Sequence, residues 1–459
     1  MTETQSVAPI ELRKRAIGPL DKRRNTRRCR SCAKLRVKCE GGPACQRCIR
    51  MKTPCELQRV QQRSIQFIHA PKHGLLSATP LQMRRHDDDI YLDHFASFLQ
   101  RCDFSREFSA STREIMAIIG RYPLLSNIAI AIGALDTSRR GSIRSFTGTK
   151  SPRNIAFLRC GISLKYLDAE ISTITSVFRE DVFWSTFLHG LFELIAENSG
   201  DSFATHMTYG LSRMILLLQP ADPLSIPTKS LIDVFWLLEA NRLIIYGDDT
   251  LISPLECPWR SYRDNWPIAM KNIITLMIQA ATFAQRLFTR IESIPEEGRC
   301  FDPSLDCLAK EGIEIKAAIL NCKEISNLEE MHKDDYTRLA VIMHGALLLY
   351  HCRNFTFYSC WEMRETPQLD QREIDTEVTM ILSQSQILLS NTEIPGVLLL
   401  FPLRMAGTLV KSSTLQGKIL DILYQIRRKG FVISDRIEAD LQELWYHEWT
   451  TTQPNEMEI

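Results

Sequence analysis

The chain has 459 residues, of which 44% are hydrophobic and 24% are charged, and its formal net charge is +2. These values are ordinary for a soluble globular protein. No basic-then-apolar signal peptide opens the sequence, and its longest apolar stretch, Ile394 to Val410, is interrupted by Pro395, Pro402 and Arg404, so we expect no membrane partner, a reducing compartment and no disulfide framework.

The small net charge hides a strong asymmetry along the chain. Residues 1–70 carry 17 Lys/Arg against 5 Asp/Glu, whereas residues 71–459 carry 39 Lys/Arg against 49 Asp/Glu. This asymmetry predicts a polyanion-binding head beside a separate globular domain. Nucleic acid is the first candidate, because phosphate neutralisation supplies most non-specific affinity. A solvated basic tail is the alternative.

The first segment in chain order is a basic N-terminal tail, residues 1–28. It contains RKR at Arg13–Arg15 and KRRNTRR at Lys22–Arg28. Such runs are typical of nuclear import signals and of extra phosphate contacts. Short basic runs are frequent, however, so the tail supports a nucleic-acid partner only together with the segment that follows it.

Six cysteines follow within 27 residues. The unit C-x2-C-x6-C occurs twice, and its members are Cys29, Cys32, Cys39, Cys45, Cys48 and Cys55. A C-x2-C pair presents two thiolates to a tetrahedral zinc, and a cysteine about two helical turns further on can fold back to the same metal. A disulfide framework would need an oxidising compartment, and a redox C-x-x-C would sit beside a βαβ pattern that is not visible here. The spacing therefore predicts a metal site.

The number of cysteines indicates two zinc ions. Two tetrahedral zincs need eight ligand positions, and no histidine lies between Cys29 and Cys55. Two thiolates must then bridge both metals, and the repeat suggests the first cysteine of each half, Cys29 and Cys45. Because soft thiolates also suit Cu(I), a copper cluster is the alternative to zinc. The other eight cysteines are scattered and are expected to be small buried apolar residues.

The cysteine-rich stretch, residues 29–55, resembles the binuclear zinc cluster, Zn2Cys6, of fungal transcription factors. All six cysteine positions match in spacing, and so does the Pro43-Ala44-Cys45 loop before the fourth cysteine. The resemblance implies that Cys29 and Cys45 bridge the metals in a small two-helix fold with pseudo-twofold symmetry. It also implies a nuclear regulator of RNA polymerase II genes that binds double-stranded DNA and reads CGG-like triplets in the major groove through the first cluster helix.

The cluster has almost no apolar core of its own. Its larger apolar side chains are Leu35, Val37, Ile49 and Met51. The metal must therefore supply the folding energy, as in other small zinc modules. With the cysteines facing inward, the basic residues between them must face outward, where they can meet DNA.

Five basic residues of the cluster are the expected DNA contacts. The resemblance places Arg36, three residues before the third cysteine, where the family typically has a lysine that reads guanines, and arginine can contact guanine O6 and N7 bidentately. Lys38, Arg30 and Arg47 are expected to contact phosphates, which positions the protein without specifying sequence. Lys34 is expected to substitute for a family arginine whose position holds an alanine here.

Residues 56–88 are predicted to be a linker. An a/d series of only two heptads follows the cluster, formed by Leu57, Val60, Ser64 and Phe67. A convincing coiled coil needs three or four heptads, so a monomer, or a homodimer formed through the large domain, is at least as well supported as a coiled-coil dimer. Asp87–Asp89 is predicted to be the solvated start of the first helix of the body.

The body, residues 89–459, is predicted to be a large all-α regulatory domain, which makes the whole chain mostly α. In DVFWSTFLHGLFELIAEN the apolar residues recur at helical spacing, namely Trp184, Phe187, Leu188, Leu191, Leu194 and Ile195. Similar stripes run through 89–101, 155–170, 203–218, 270–288, 336–350, 376–390 and 416–426. Alternating strand patterns are scarce, so we expect roughly a dozen helices with a core at their interfaces.

The end of the body resembles the fungal-specific transcription factor domain that follows such clusters. LLLFPLRMAG at 398–407 and DLQELW at 440–445 resemble that family's terminal Pro-x-x-x-Ala-Gly segment and its late tryptophan. The resemblance implies a regulatory region that binds effectors or partners, such as the transcription machinery or co-regulators.

The body carries no recognisable catalytic motif. GTKS at 148–151 lacks the Gly-Lys pair and upstream glycine of a phosphate loop. His344 and His351 are a poor metal site at their spacing and are expected to be core or surface histidines. We therefore predict that the protein is not an enzyme. Two alternatives stay open: a helical enzyme with the cluster as an attachment module, and a metal or redox sensor that uses the cysteines as a switch.

Overall fold

The computed structural model describes residues 46–52, 87–105, 108–140, 151–173, 178–200, 203, 206–218, 224–247, 266–322 and 334–452. The chain forms two compact units, residues 1–84 and 85–459. In these ranges most residues are helical and none lies in a strand, which confirms the predicted all-α class. Apart from residues 46–52, and from Asp87 and Asp88, which begin the first helix of the body, the predicted cluster and linker lie outside the described residues.

The described helices follow one another along the chain. The first unit contributes α1, Gln46–Arg50. The described α-helices of the second unit are α2 Asp87–Gln100, α3 Thr112–Arg121, α4 Pro123–Arg140, α5 Pro152–Thr173, α6 Glu180–Ala196, α7 Ser212–Leu217, α8 Ile226–Tyr246, α9 Ile268–Ser293, α10 Ser304–Leu320, α11 Asp335–Arg353, α12 Gln371–Asn391, α13 Leu400–Gly407, α14 Ser413–Arg428 and α15 Ser434–Thr452. Short 3-10 turns lie at Glu296–Phe301, Asn354–Thr356, Ser359–Trp361 and Gly396–Leu399, and a π turn lies at His206–Leu211. No helix among those described is long and apolar enough to cross a bilayer.

Several helix starts follow directly from local sequence. Asp370 and Glu373 form a reciprocal capping box at the start of α12, with hydrogen bonds of 2.7 and 2.8 Å. The Asp334 side chain accepts the Thr337 N–H at 2.9 Å at the start of α11. The last helix turn of α8 ends at Gly247, whose φ of 65° is the left-handed conformation that glycine adopts without strain. The local sequence determines these helix ends, because each depends on residues within about one turn of the end.

Two helices organise the packing of the second unit. Helix α4 packs against α2, α3, α5 and α6, and α11 packs against α9, α10, α12 and α13. The approach of α2 to α4 is close enough to require a glycine. A Cβ on Gly133 would lie 1.9 Å from the Tyr91 carbonyl oxygen and 3.1 Å from the Phe95 backbone nitrogen.

We expect Gly133→Ala to destabilise the body by about 3 kcal/mol, the upper end of the usual cost of overpacking, because its methyl group would meet backbone atoms that cannot rotate away. The matched control is Gly417→Ala in α14, where a Cβ would meet no atom within 4 Å. That change should stabilise the body by up to about 1 kcal/mol, the helix propensity difference between the two residues. Urea unfolding of both variants measures the two effects, and equal shifts of one sign would contradict the close approach of α2 to α4.

Helix α6 contains the predicted stripe, and all six of the named apolar residues are buried. The same helix also buries Asp181, Ser185, Thr186 and His189, so it is enclosed on nearly all sides. The buried surface of α6 therefore extends beyond the apolar stripe that the sequence indicated. On the other faces, Thr186 Oγ1 donates to the Val182 carbonyl oxygen at 2.8 Å.

The two parts of the C-terminal resemblance lie in contact. Trp445 Nε1 on α15 donates to the Gly407 carbonyl oxygen at the end of α13, at 2.8 Å. Leu441, one turn earlier, packs directly on Gly407, where a Cβ would come within 2.6 Å of its methyl groups. The Pro-x-x-x-Ala-Gly segment and the late tryptophan are thus one packing unit that closes the end of the body.

Candidate zinc centre and nucleic-acid interface

Only part of the predicted zinc and DNA site falls among the described residues. Cys48 lies in α1, and Arg47 lies in the same helix, although the Arg47 side chain is outside the description. The remaining predicted site residues lie outside the described residues: Cys29, Cys32, Cys39, Cys45, Cys55, Arg30, Lys34, Arg36 and Lys38.

The α1 segment separates one inward-facing thiol from outward-facing neighbours. The Cys48 side chain is buried, with 3% of its surface exposed, whereas Ile49 and Met51 are 55% and 63% exposed. Arg50 and Lys52 are exposed as well. Two of the four larger apolar side chains of the cluster therefore add little to a core, and the buried position goes to a cysteine. This arrangement suits a fold in which metal replaces hydrophobic burial.

The chain leaves α1 through a left-handed residue. The Lys52 N–H donates to the Ile49 carbonyl oxygen at 3.2 Å, and the φ of Lys52 is 49°. It is the one non-glycine residue with positive φ in the described part of the chain. A side chain in this conformation costs about 1–2 kcal/mol. The helix thus stops at Arg50, and Lys52 follows it with an exposed side chain.

Comparison of the chain with protein-family models, with curated proteins and with solved structures finds no match.

His344 and His351 are structural, as predicted. Nε2 of His344 lies 2.9 Å from the Ile319 carbonyl oxygen, and Nε2 of His351 lies 2.7 Å from that of Gly312. Because a carbonyl oxygen only accepts, both Nε2 atoms must carry the proton. Burial lowers the pKa of both histidines, which keeps them neutral. They tie α11 to α10, and no group of three metal-ligating side chains occurs in the ranges that the structure describes.

The structure also brings together a second histidine pair, which was not identified from the sequence. His189 on α6 donates from Nδ1 to the Ser185 carbonyl oxygen at 2.7 Å, and its ring stacks 6.3 Å from that of His206. Burial lowers the pKa of His189 to about 4. His206, at the start of the π turn, places its own Nδ1 2.8 Å from Glu193. The two histidines are 17 positions apart, so no spacing rule could have paired them.

The charged groups of the body form structural pairs. Asp136 accepts from Arg101 at 2.9 Å and from Arg140 at 3.1 Å, although burial still raises the pKa of Asp136. Arg139 donates to the carbonyl oxygens of Gly430 and Ile195, and burial lowers its pKa to about 10. These arginines join α4 to α6 and to the loop after α14.

One open depression of about 210 Å³ lies between α14 and α15. It is lined by Arg427, Asp435, Glu438, Ala439 and Gln442, and the Arg427 and Asp435 side chains pair there at 3.3 Å. The lining therefore holds one basic and two acidic side chains, and the basic one is already paired.

The scattered cysteines follow the expectation of burial only in part. Cys102, Cys322, Cys352 and Cys360 are buried, and burial raises the pKa of Cys352 to about 12. Cys160 and Cys300 are half-buried, and Cys257 lies outside the described residues. Cys307 is exposed on α10, so the prediction was wrong for that residue. Spacing excludes a shared ligand role but does not determine which helix face a lone cysteine occupies.

Proposed function

We propose that the protein is a zinc-dependent, sequence-specific DNA-binding regulator of RNA polymerase II transcription that acts in the nucleus. The observation that carries the proposal is the doubled C-x2-C-x6-C unit in a segment with 17 Lys/Arg against 5 Asp/Glu. The burial of Cys48 beside exposed Arg50 and Lys52 supports it, because a metal-built fold needs thiols inside and basic side chains outside.

In this proposal two Zn2+ ions are held by Cys29, Cys32, Cys39, Cys45, Cys48 and Cys55. The donor set fits zinc, because the segment offers six soft thiolates and no histidine between Cys29 and Cys55. The metal supplies the folding energy of a segment that has almost no apolar core. The acidic, helical body is then free to serve regulation, as a surface for co-regulators or for the transcription machinery.

DNA is read in this proposal by the side chains between the cysteines. Arg36 contacts a guanine edge of a CGG-like triplet in the major groove. Lys34, Lys38, Arg30 and Arg47 contact phosphates and set the register of the protein on the duplex.

The test uses the full chain and a duplex that contains CGG triplets. Removal of zinc with a strong chelator should abolish specific binding, while the far-UV circular dichroism of the helical body changes little. A duplex of the same composition without CGG controls for non-specific affinity, and zinc re-addition should restore specific binding. Specific binding that survives complete metal removal would contradict the proposal.

Two substitutions separate base reading from phosphate contact. We expect Arg36→Ala to cost about 1–3 kcal/mol on the CGG duplex and little on the control duplex. Lys38→Ala should weaken binding to both duplexes alike and reduce the salt dependence of log K by about 1. Fluorescence anisotropy at several salt concentrations measures both quantities. An equal loss on both duplexes for Arg36→Ala would remove this residue from base recognition.

A further inference from the structure

Two cysteines of the body lie on turns that the fold brings together. Cys300 belongs to the 3-10 turn Glu296–Phe301, between α9 and α10, and Cys360 belongs to the 3-10 turn Ser359–Trp361, between α11 and α12. The backbones of the two turns pack against each other, with Cα atoms within 8 Å. The two cysteines are far apart in sequence, so only the tertiary structure makes them neighbours.

One arginine side chain fixes the two turns relative to each other. Arg364 Nη1 donates to the Cys360 carbonyl oxygen at 2.8 Å and to the Arg299 carbonyl oxygen at 3.4 Å. The second of these oxygens belongs to the peptide bond that leads into Cys300. Arg364 Nη2 donates to the Asp302 carbonyl oxygen at 3.0 Å. The guanidinium therefore holds the backbone on both sides of Cys300 against the backbone of Cys360.

A second arginine ties the same two segments from the other direction. The Arg299 guanidinium lies 5.4 Å from the centroid of the Tyr358 ring, two residues before Cys360. Arg299 Nε also donates to the Ile291 and Ile294 carbonyl oxygens, both at 3.1 Å, which fixes it to the end of α9. The two cysteine-bearing turns are thus held together by a guanidinium group on each segment.

The two thiols differ in their access to solvent. Cys360 is 2% exposed, whereas Cys300 is half-buried and the next residue, Phe301, is 86% exposed. A small oxidant from solvent therefore reaches Cys300 first. Burial raises the pKa of Cys360, and the charge of a Cys300 thiolate raises it further, so the two sulfur atoms lie within electrostatic reach of each other.

We propose that Cys300 and Cys360 are a reversible redox pair, which a peroxide oxidises to a disulfide between the turn before α10 and the turn after α11. Disulfides that form in reducing compartments are usually transient and redox-sensing, and a pair with one accessible and one buried thiol suits that use. The bond would close a loop that contains α10 and α11. The proposal depends on neither zinc nor DNA binding.

The oxidation takes two steps and consumes one peroxide molecule. The Cys300 thiolate attacks one oxygen of hydrogen peroxide, the O–O bond breaks, and the hydroxide that leaves takes up the proton that Cys300 lost, which leaves a sulfenic acid on Cys300. The Cys360 sulfur then attacks the sulfenic sulfur, so that the S–S bond forms, the S–O bond breaks, and the oxygen leaves as water with the Cys360 proton. The two thiols together supply the two electrons that reduce the peroxide to two water molecules. A small thiol reverses the reaction by thiol–disulfide exchange.

The first test maps disulfides in the full, zinc-loaded chain after treatment with one equivalent of hydrogen peroxide. The chain carries Cys307→Ser, so that Cys300 is the one cysteine of tryptic peptide 300–310, as Cys360 is of tryptic peptide 354–364. After the remaining thiols are blocked with iodoacetamide, digestion without reduction should give these two peptides joined, two hydrogen atoms lighter than their sum. Dithiothreitol should separate them. Absence of the joined peptide, or its formation only after unfolding in urea, would overturn the proposal.

The second test assigns the order of the two steps. Cys360→Ser removes the thiol that attacks in the second step, so the sulfenic acid on Cys300 should persist, and its labelling by dimedone should rise severalfold over that of the unsubstituted chain. Cys352→Ser, at another buried cysteine outside the two turns, is the matched control and should leave that labelling unchanged. Thermal unfolding checks that both variants are folded. Should Cys360→Ser not fold, Cys300→Ser, at the more accessible position, must abolish oxidation of Cys360. Unchanged labelling of Cys300 in folded Cys360→Ser, or oxidation of Cys360 that persists in Cys300→Ser, would contradict the proposed pair.

Discussion

Replacing Cys48 with serine is expected to abolish zinc-dependent DNA binding while the helical body stays folded. The Cys48 side chain is 3% exposed, and in the proposed cluster it is one of six thiolates shared by two metals. A serine hydroxyl stays protonated at neutral pH and is a poor zinc ligand, so one metal loses a ligand outright. Loss of a partner that merely orients a ligand costs about 10–100-fold in metal affinity, and loss of the ligand itself should exceed that range.

Chelator competition on the full chain measures this loss, and anisotropy with a CGG duplex measures its effect on DNA binding. Cys307→Ser is the matched control, since Cys307 is an exposed cysteine on α10, outside the repeat. The control should leave zinc content and DNA affinity unchanged. Two zinc ions retained by Cys48→Ser at unchanged affinity would contradict the six-thiolate assignment.

The substitution Arg242→Met is expected to destabilise the body by about 3–5 kcal/mol. Arg242 and Glu239 are one turn apart on α8, and their side chains are 0% and 1% exposed. Arg242 Nε and one guanidinium NH2 group donate to the two Glu239 carboxylate oxygens at 2.8 and 2.9 Å. Removal of the guanidinium would leave a buried carboxylate without its bidentate partner, and the desolvation of that charge would no longer be offset.

The double variant Glu239→Leu/Arg242→Met is the informative control. A buried ion pair replaced by apolar residues of similar size is often neutral or stabilising, so the double variant should recover most of the lost stability. Urea unfolding followed by tryptophan fluorescence gives the free energies of the complete cycle. If the single and double variants lose the same stability, the cost lies in packing around Arg242 and not in the stranded carboxylate.

The two units differ in how far their described residues bury apolar side chains. Among residues 46–52 of the first unit Cys48 is buried, and the exposed Ile49 and Met51 show how little apolar burial these residues achieve. The second encloses whole helices such as α6 and α8, so metal removal should leave its fold intact. Chelation should therefore separate the proposed DNA recognition by the cluster from the proposed regulatory role of the body.

Features that depend on neighbours in sequence could be predicted from the sequence. The doubled cysteine unit, the charge asymmetry and the all-α class of the body are of this kind, as are the start of the first body helix at Asp87 and the structural role of His344 and His351. Helix caps and periodicity act over one or two turns, so local spacing is sufficient to reveal them.

Features that depend on which helices meet were decided by the tertiary structure alone. Periodicity showed that α6 is helical but not that it is enclosed on nearly all sides. Residue 133 must be a glycine only because α2 crosses α4 there. Breaking the Arg242–Glu239 ion pair is costly only because α8 is enclosed. Burial, and with it the cost of a charge or a methyl group, is a property of contacts between distant segments, which composition and spacing do not encode.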